Sequence, residues 1–181
     1  MRYTIAMMVA LALICGRPSV TGAQAPQPIA KTDNRLTTLA GFTVDYPKKD
    51  WQVLGGTGSS VVVFVHKSRE ATVAIERTKI EHPLAANEIV EQTATLEVEE
   101  WQARRPMSTK FAHQLVDFLG SRSIVIDFSQ PGPAGTEHVR LYTMPRGADW
   151  FRVVCTSPQS TFETYKDTCH RIALSLTKTA P

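Results

Sequence analysis

Short runs of alternating apolar and polar residues dominate the chain from Gly41 onward, and such alternation is typical of β-strands with one buried face. In the first run, GFTVDYP at 41–47, the aromatic and aliphatic side chains share one side, while Thr43 and Asp45 occupy the other. Three further strands are predicted before the pattern changes: WQVL at 51–54, SVVVFVHK at 60–67 and EATVAIERTK at 70–79.

The period changes between Pro83 and Arg104, where apolar residues recur at the spacing of one helix face. Pro83 suits a first helical turn, and Pro106 stops the helix just after a basic pair at its carboxyl end. Glu97 and the pair 99–100 are interpreted as part of a solvated helix face rather than as a catalytic carboxylate cluster.

Alternation then returns, and a second helix closes the chain. Gly120-Ser121 suits a two-residue hairpin turn, and the last helix is predicted from Pro158 with Ser157 as its cap. Two groups of strands, separated by one helix and followed by another, predict an α+β fold with a mainly antiparallel sheet flanked by helices. The second group of strands is HQLVDFL at 113–119, RSIVIDF at 122–128, HVRLYTM at 138–144 and DWFRVVC at 149–155.

Two cysteines are predicted to meet through two independent periodicities. In the strand 149–155, Cys155 lies on the face opposite Arg152, a residue that prefers water. Cys169 lies in the middle of the apolar stripe of the last helix. In an oxidising compartment this pair is expected to form a structural disulfide, with free buried thiols and a metal pair as the weaker alternatives.

The N-terminal residues 1–25 are typical of a secretory signal peptide. Arg2 precedes a short uncharged apolar run, and small residues follow at the site expected for cleavage, after Ala23 or Ala25. Lipid anchoring of Cys15 is the weaker alternative because the residue before it, an isoleucine, is not small.

Removal of the signal peptide leaves one expected domain and little net charge. Residues 26–40 are predicted to form a flexible tether, and residues 41–178 a single domain. The full chain has 20 basic and 17 acidic residues, and two of the basic residues, Arg2 and Arg17, leave with the signal peptide. The remaining balance argues against a nucleic-acid partner, which needs a concentrated basic face.

The sequence contains no pattern that predicts a catalytic or metal site. The glycine-rich stretch 55–60 lacks the Lys-Ser/Thr ending of a phosphate loop and leads into a strand. The five histidines are scattered without metal-ligand spacing, and no nucleophile elbow is present. We therefore predict no catalytic residue, metal site or cofactor, and no binding residue can be assigned from these patterns.

The order of the motifs resembles that of the PsbP-like superfamily, which includes the DcrB-like bacterial envelope proteins. The resemblance rests on GFTVDYPKKDW at 41–51, LGSRSIVIDFS at 119–129, HVRLYTM at 138–144 and the segment 149–176. It implies an antiparallel sheet sandwiched by helices. Members of this superfamily are generally non-catalytic: photosystem-associated subunits, nuclear-transport proteins that bind a small GTPase, and secreted bacterial proteins or lipoproteins. No functional residue of the family carries over to this chain.

The function expected from these features is that of a non-catalytic exported envelope protein, periplasmic or secreted. It would act as an accessory module for a protein partner or a membrane-bound complex, with no transmembrane segment in the mature chain. The alternative is a periplasmic protein that binds a small ligand or a metal ion. Recognition is expected at loops such as 55–60 and 131–135, or at an uncovered sheet face, because a rigid scaffold can position loops without burying their backbone polar groups.

Overall fold

The computed structural model describes residues 34–55, 61–79, 88–118 and 120–178. The predicted signal peptide, residues 1–25, and the first part of the predicted tether lie outside the described residues. In the described parts, the elements in chain order are β1 (Asn34–Thr37), β2 (Phe42–Tyr46), β3 (Trp51–Gly55), β4 (Val61–His66), β5 (Thr72–Lys79), α1 (Glu91–Arg104), β6 (Thr109–Phe118), β7 (Ser121–Gly132), β8 (Gly135–Arg146), β9 (Asp149–Pro158), α2 (Phe162–Leu174) and β10 (Thr177–Lys178).

The fold is built on one large antiparallel sheet, which confirms the predicted α+β class. Its seven strands follow the order β3-β4-β5-β9-β8-β7-β6, and every neighbouring pair is antiparallel. Consecutive strands joined by short connections pair with each other, as the alternating pattern with intervening turns predicts. No helix in the described residues is long and apolar enough to cross a membrane.

A smaller sheet corrects the predicted tether. Strand β1 pairs with β2, and β10 pairs with the other edge of β2. Residues 34–37 of the predicted tether are therefore part of the fold. The pairing is supported by Arg35, whose guanidinium holds both carboxylate oxygens of Asp45 at 2.8 and 3.0 Å, and by Leu36, which packs against the core.

The large sheet buries both of its faces, each against a different helix. Successive side chains of a strand point to opposite faces, so each central strand supplies residues to two cores. We call the two faces the α2 face and the α1 face. The α2 face meets α2 and the small sheet and includes Phe64, Val73, Val125, Tyr142, Met144, Phe151, Val153, Phe42, Cys169 and Ile172. The α1 face includes Ile124, Ile126, Phe128, Val139, Leu141, Ala94 and Trp101.

The last helix begins later than predicted. Helix α2 starts at Phe162 after Thr161, whereas Ser157 and Pro158 still belong to β9. The ladder with β8 continues through these two residues, since Pro158 pairs with Glu137. The pairing of β9 with β5 ends at Thr156, so Pro158 lies where one side of the strand is unpaired and its missing N–H costs no second ladder bond.

Two other predicted boundaries differ from the structure or lie partly outside the described residues. Helix α1 begins at Glu91, and the predicted start at Pro83 falls outside the described residues. In the β6–β7 hairpin, Ser121 is already paired with Phe118. The predicted Gly120-Ser121 turn is therefore displaced by one residue, and Gly120 provides the positive φ of 77° that the turn needs.

Glu97 is buried, which corrects its interpretation as a solvated residue. Its side chain is 5% exposed and lies between α1 and the α1 face of the sheet. Arg152 of β9 donates two hydrogen bonds to its carboxylate, at 3.1 and 3.3 Å. Thr143 and Trp101 donate to the same carboxylate at 3.1 and 3.2 Å. Arg152 was expected to face water, but its guanidinium lies beneath α1 and is bonded to the Glu97 carboxylate instead.

We expect Glu97→Ala to lower the free energy of unfolding by about 3 kcal/mol, because it leaves the Arg152 guanidinium buried with a single partial partner, Glu100. Glu99→Ala is the matched control: it makes the same substitution on an exposed turn of the same helix and should change stability by less than about 0.5 kcal/mol. Urea unfolding of both variants measures the difference. Equal losses would mean that the Glu97 pair does not stabilise the helix against the sheet.

Candidate functional site

Three polar side chains meet on the α2 face at the pairing of β7 with β8. Asp127 lies directly opposite Arg140 in the ladder. The Arg140 guanidinium donates to both oxygens of the Asp127 carboxylate at 2.8 and 2.9 Å, and His138 Nε2 lies 2.8 Å from the Oδ1 atom. We call Asp127, His138 and Arg140 the ion-pair cluster. Each side chain is partly accessible, with exposures of 22%, 18% and 15%.

The first residue of α2 covers this cluster. The Phe162 ring stacks on the His138 ring with centroids 3.7 Å apart, and the Arg140 guanidinium carbon lies 5.4 Å from the centre of the same Phe162 ring. A cation above an aromatic face is attracted by the ring quadrupole. The cluster therefore fixes where α2 begins on the sheet as well as the pairing of two strands.

The electrostatics keep the ion pair charged. Burial alone would raise the pKa of Asp127, but hydrogen bonds from His138 and Arg140 and the Arg140 charge outweigh it and hold that pKa below its usual range. Burial opposes the charge of Arg140 as well, and the bonds and charge of Asp127 outweigh it and raise the pKa of Arg140. A carboxylate held in this way is a poor general base, because its proton affinity is low and both oxygens are engaged.

The two cysteines lie beside the cluster. Cys155 is the cross-strand neighbour of Arg140, and it approaches Cys169 of α2 to 2.7 Å. Both are buried and stand as free thiols in the structure. Burial, and then contact with Cys169, raise the pKa of Cys155, which disfavours a reactive thiolate. The two periodicities thus predicted the right interface, and the disulfide itself stays a prediction.

The cluster lacks the geometry of an activated nucleophile. Ser129 and Ser157 flank His138 in the ladder, which makes them the hydroxyls nearest to the imidazole in sequence register. The Ser129 hydroxyl donates to Gln159 at 3.2 Å, and the buried Ser157 hydroxyl has no hydrogen-bond partner in the described residues. A nucleophile and its base normally lie within hydrogen-bond distance of each other. The described ranges also contain no group of three side chains suited to hold a metal ion.

An open groove of about 310 Å³ lies at the same end of the sheet, around the β7–β8 hairpin. The side chains that line it carry no charge, and Met107 is 74% exposed. One of its lining residues, Ser129, is the cross-strand neighbour of His138, so the groove lies next to the strand segment that carries the ion-pair cluster. The lining residues are Met107, Thr109, Ser129, Gln130, Pro131, Gly132, Gly135 and Thr136.

The two predicted recognition loops have different outcomes. The loop at 131–135 borders the groove, but Gly132 and Gly135 are paired, so the connection is a tight two-residue hairpin rather than a loop. The glycine-rich loop after Gly55 lies outside the described residues.

No protein-family model matches the chain, and neither does any curated protein sequence. Among solved structures, cyanobacterial PsbP from Synechocystis superposes with a TM-score of 0.60 at 15% identity, over 87% of this chain and 98% of that protein. The chain has a PsbP-like fold. LpqN of Mycobacterium tuberculosis, described as involved in cell envelope biogenesis, superposes with a TM-score of 0.54 at 14% identity, over 82% of this chain and 91% of LpqN. At these identities the likeness establishes the PsbP-like fold alone.

Sequence reasoning missed the ion-pair cluster, although a signal for it was present. The stretch PGPAG at 131–135 forms a hairpin in which Gly132 pairs with Gly135. Counting outward from that pair, one residue at a time on each strand, brings Asp127 opposite Arg140 after five steps. The register of this hairpin, once assumed, would have predicted the ion pair.

Oxidised protein from an exporting host is expected to contain a Cys155–Cys169 disulfide, because both thiols are buried in contact and close a short loop. Neither residue should react with an alkylating reagent until the protein is unfolded with a reductant. Cys169→Ala should lower the free energy of unfolding by roughly 2–5 kcal/mol, and reductant should then have no further effect.

The matched control for the disulfide is the double Cys155→Ala, Cys169→Ala variant. Its free energy of unfolding should lie below that of the single variant only by the contribution of one more small buried side chain, because the disulfide is already absent from the single variant. Rapid alkylation of both cysteines in native, non-reduced protein would contradict the disulfide.

Proposed function

We propose that this protein is an exported accessory protein of the cell envelope, which binds a protein partner and carries out no chemistry of its own. The observation that supports this most directly is the open, uncharged groove beside an ion-pair cluster whose bonding capacity is already used. The groove offers contact area and hydrogen-bonding groups to a partner, and the carboxylate of the neighbouring cluster, Asp127, is already neutralised by Arg140.

The groove has the composition of a recognition surface. Met107 provides a flexible apolar side chain that adapts to different partners, and Thr136 and Gln130 provide polar groups at the margin. Gln130 and Thr136 lie on the paired strands β7 and β8, which limits the conformational entropy that they lose when a partner binds, whereas Met107 lies in the turn between α1 and β6.

The fold likeness and the N-terminal sequence support the location. LpqN, with a related fold, is described as involved in cell envelope biogenesis. Residues 1–25 have the features of a cleaved signal peptide, so the mature protein is expected to begin with the short segment that precedes β1. The partner is accordingly a protein, or a membrane-bound complex, that is reached after export.

A photo-crosslinking residue placed at Met107 tests this role in cells that export the protein. Leu39 is the matched control, because it is an apolar side chain of similar size and is 87% exposed on the β1–β2 turn. Illumination should give a discrete adduct from position 107 and none from position 39. Equal adducts at both positions, or none at position 107, would contradict partner binding at the groove.

A further inference from the structure

The large sheet ends in two edge strands, β3 and β6, and only β6 is long and regular. No strand in the described residues pairs with the outer side of either one. Strand β3 has five residues, and a bulge interrupts it between Val53 and Gly55. Strand β6 has ten residues, and its pairing with β7 is regular from Ala112 to Phe118. The outer backbone N–H and C=O groups of this regular part can therefore pair with another strand.

The features that normally protect an exposed edge strand do not extend into the middle of β6. Such features include lysine, proline and bulges. In β6 they are confined to the start of the strand, where Lys110 has a positive φ of 57° and the register shifts between Thr109 and Ala112. The regular part, AHQLVDF, contains neither lysine nor proline. The middle of this edge is therefore open to pairing.

The side chains along the middle of β6 leave room for a neighbouring strand and offer it apolar contacts. Ala112 and Gln114 lie on the α2 face, where both are exposed and neither is charged. On the α1 face, Phe111 and Leu115 are half-buried and pack against the core. A strand placed beside β6 would cover the remaining exposed parts of these two apolar side chains, which favours the contact.

Opposite charges lie at the two ends of this edge. Lys110 is exposed at its start, and Asp117 is 74% exposed near its end. An antiparallel second copy of β6 would bring each lysine near the aspartate of the other copy, whereas a parallel copy would bring like charges together. Gln114 lies midway between Lys110 and Phe118. Its amide both donates and accepts hydrogen bonds, so it can pair with the same side chain across a twofold axis.

We propose that two copies of this protein pair through their β6 strands, which run antiparallel about a twofold axis at Gln114. In this register Gln114 faces Gln114 of the second copy, and Phe111 faces Asp117 of the second copy. Directly opposed residues then lie on the same face of the sheet, as antiparallel pairing requires. Lys110 precedes Phe111 and therefore lies beside that Asp117. The two large sheets join into one continuous antiparallel sheet, which removes the exposed edge of both copies.

An introduced cysteine tests the position of the twofold axis. After removal of the predicted signal peptide, the chain contains only Cys155 and Cys169, which are both buried. Gln114→Cys places the new thiols of two copies opposite each other, so mild oxidation should give a disulfide-linked dimer. Ala112→Cys is the matched control on the same strand and face. Its two thiols would lie roughly 13 Å apart along the paired strands, so this variant should give no covalent dimer.

A charge exchange tests the register independently of any disulfide. Sedimentation velocity of the mature protein, from about 1 to about 200 μM, should show a monomer–dimer equilibrium. Lys110→Glu and Asp117→Lys should each weaken dimerisation by about tenfold, because each replaces two attractive contacts per dimer by two repulsive ones. The combined variant restores opposite charges, so its dissociation constant should return to within about threefold of the native value. Lys48→Glu, at an exposed lysine before β3, should leave dimerisation unchanged.

Urea unfolding of each variant shows whether the monomer is intact, so a loss of dimer can be separated from a loss of fold. Native protein that stays monomeric over the whole concentration range would overturn the interface. Equal crosslinking of Gln114→Cys and Ala112→Cys, or a combined charge variant that dimerises no better than the single ones, would do the same. The groove is lined by none of the residues from Lys110 to Phe118, so these results do not decide whether a partner binds at Met107.

Discussion

Carboxylates that are buried or half-buried against the central sheet must be neutralised, and three arginines do this at three different junctions of the fold. Arg152 of β9 holds Glu97 of α1, Arg140 of β8 holds Asp127 of β7, and Arg77 of β5 holds Asp149 of β9. A buried charge without its partner destabilises by several kcal/mol, so each pair restricts which elements can pack together. Two of the pairs join neighbouring strands of the large sheet, and the Arg152–Glu97 pair joins α1 to the sheet, while apolar burial supplies most of the stabilisation.

The ion-pair cluster shows this constraint on the α2 face of the sheet. In the ion-pair cluster, every oxygen of Asp127 is bonded, and Phe162 closes over the guanidinium and the imidazole. The bonding capacity of the Asp127 carboxylate is therefore used within the protein.

The features that could be predicted from the sequence are those that follow from the spacing of apolar residues. Alternation predicted most strands, and the apolar stripe of α2 predicted that Cys169 faces the sheet. The alternation could not predict β1, because this strand has only four residues with weak alternation and is recognised only by its pairing with β2. The predicted start of α2 was also wrong. Pro158 has the local features of a first helical residue, but it continues the β-ladder by pairing with Glu137. In both cases a long-range pairing overrode the local signal.

The burial of Glu97 was missed for a related reason. Helix α1 carries glutamates around most of its circumference, so its sequence does not indicate which of them faces the sheet. The glutamate that faces the sheet is the one that bonds to Arg152, which is 55 residues away in the sequence and whose side chain lies on the α1 face. A charge pattern within one helix cannot reveal a partner on a distant strand, whereas the hairpin register of β7 and β8 could have revealed the Asp127–Arg140 pair.

The free energy of unfolding as a function of pH, compared between the native protein and Asp127→Asn, tests most directly whether these ion pairs hold the fold together. The folded-state pKa of Asp127 lies below its unfolded value, so its contribution is fully present above about pH 4 and is lost as the pH falls through the folded pKa. At neutral pH the variant should be less stable by about 2 kcal/mol, and the difference should vanish in acid. Asp117→Asn, at an aspartate that is 74% exposed, should follow the native curve throughout. If the free energies of unfolding of Asp127→Asn and the native protein were equal at neutral pH, or differed by the same amount at every pH, the stabilising role of the ion pair would be contradicted.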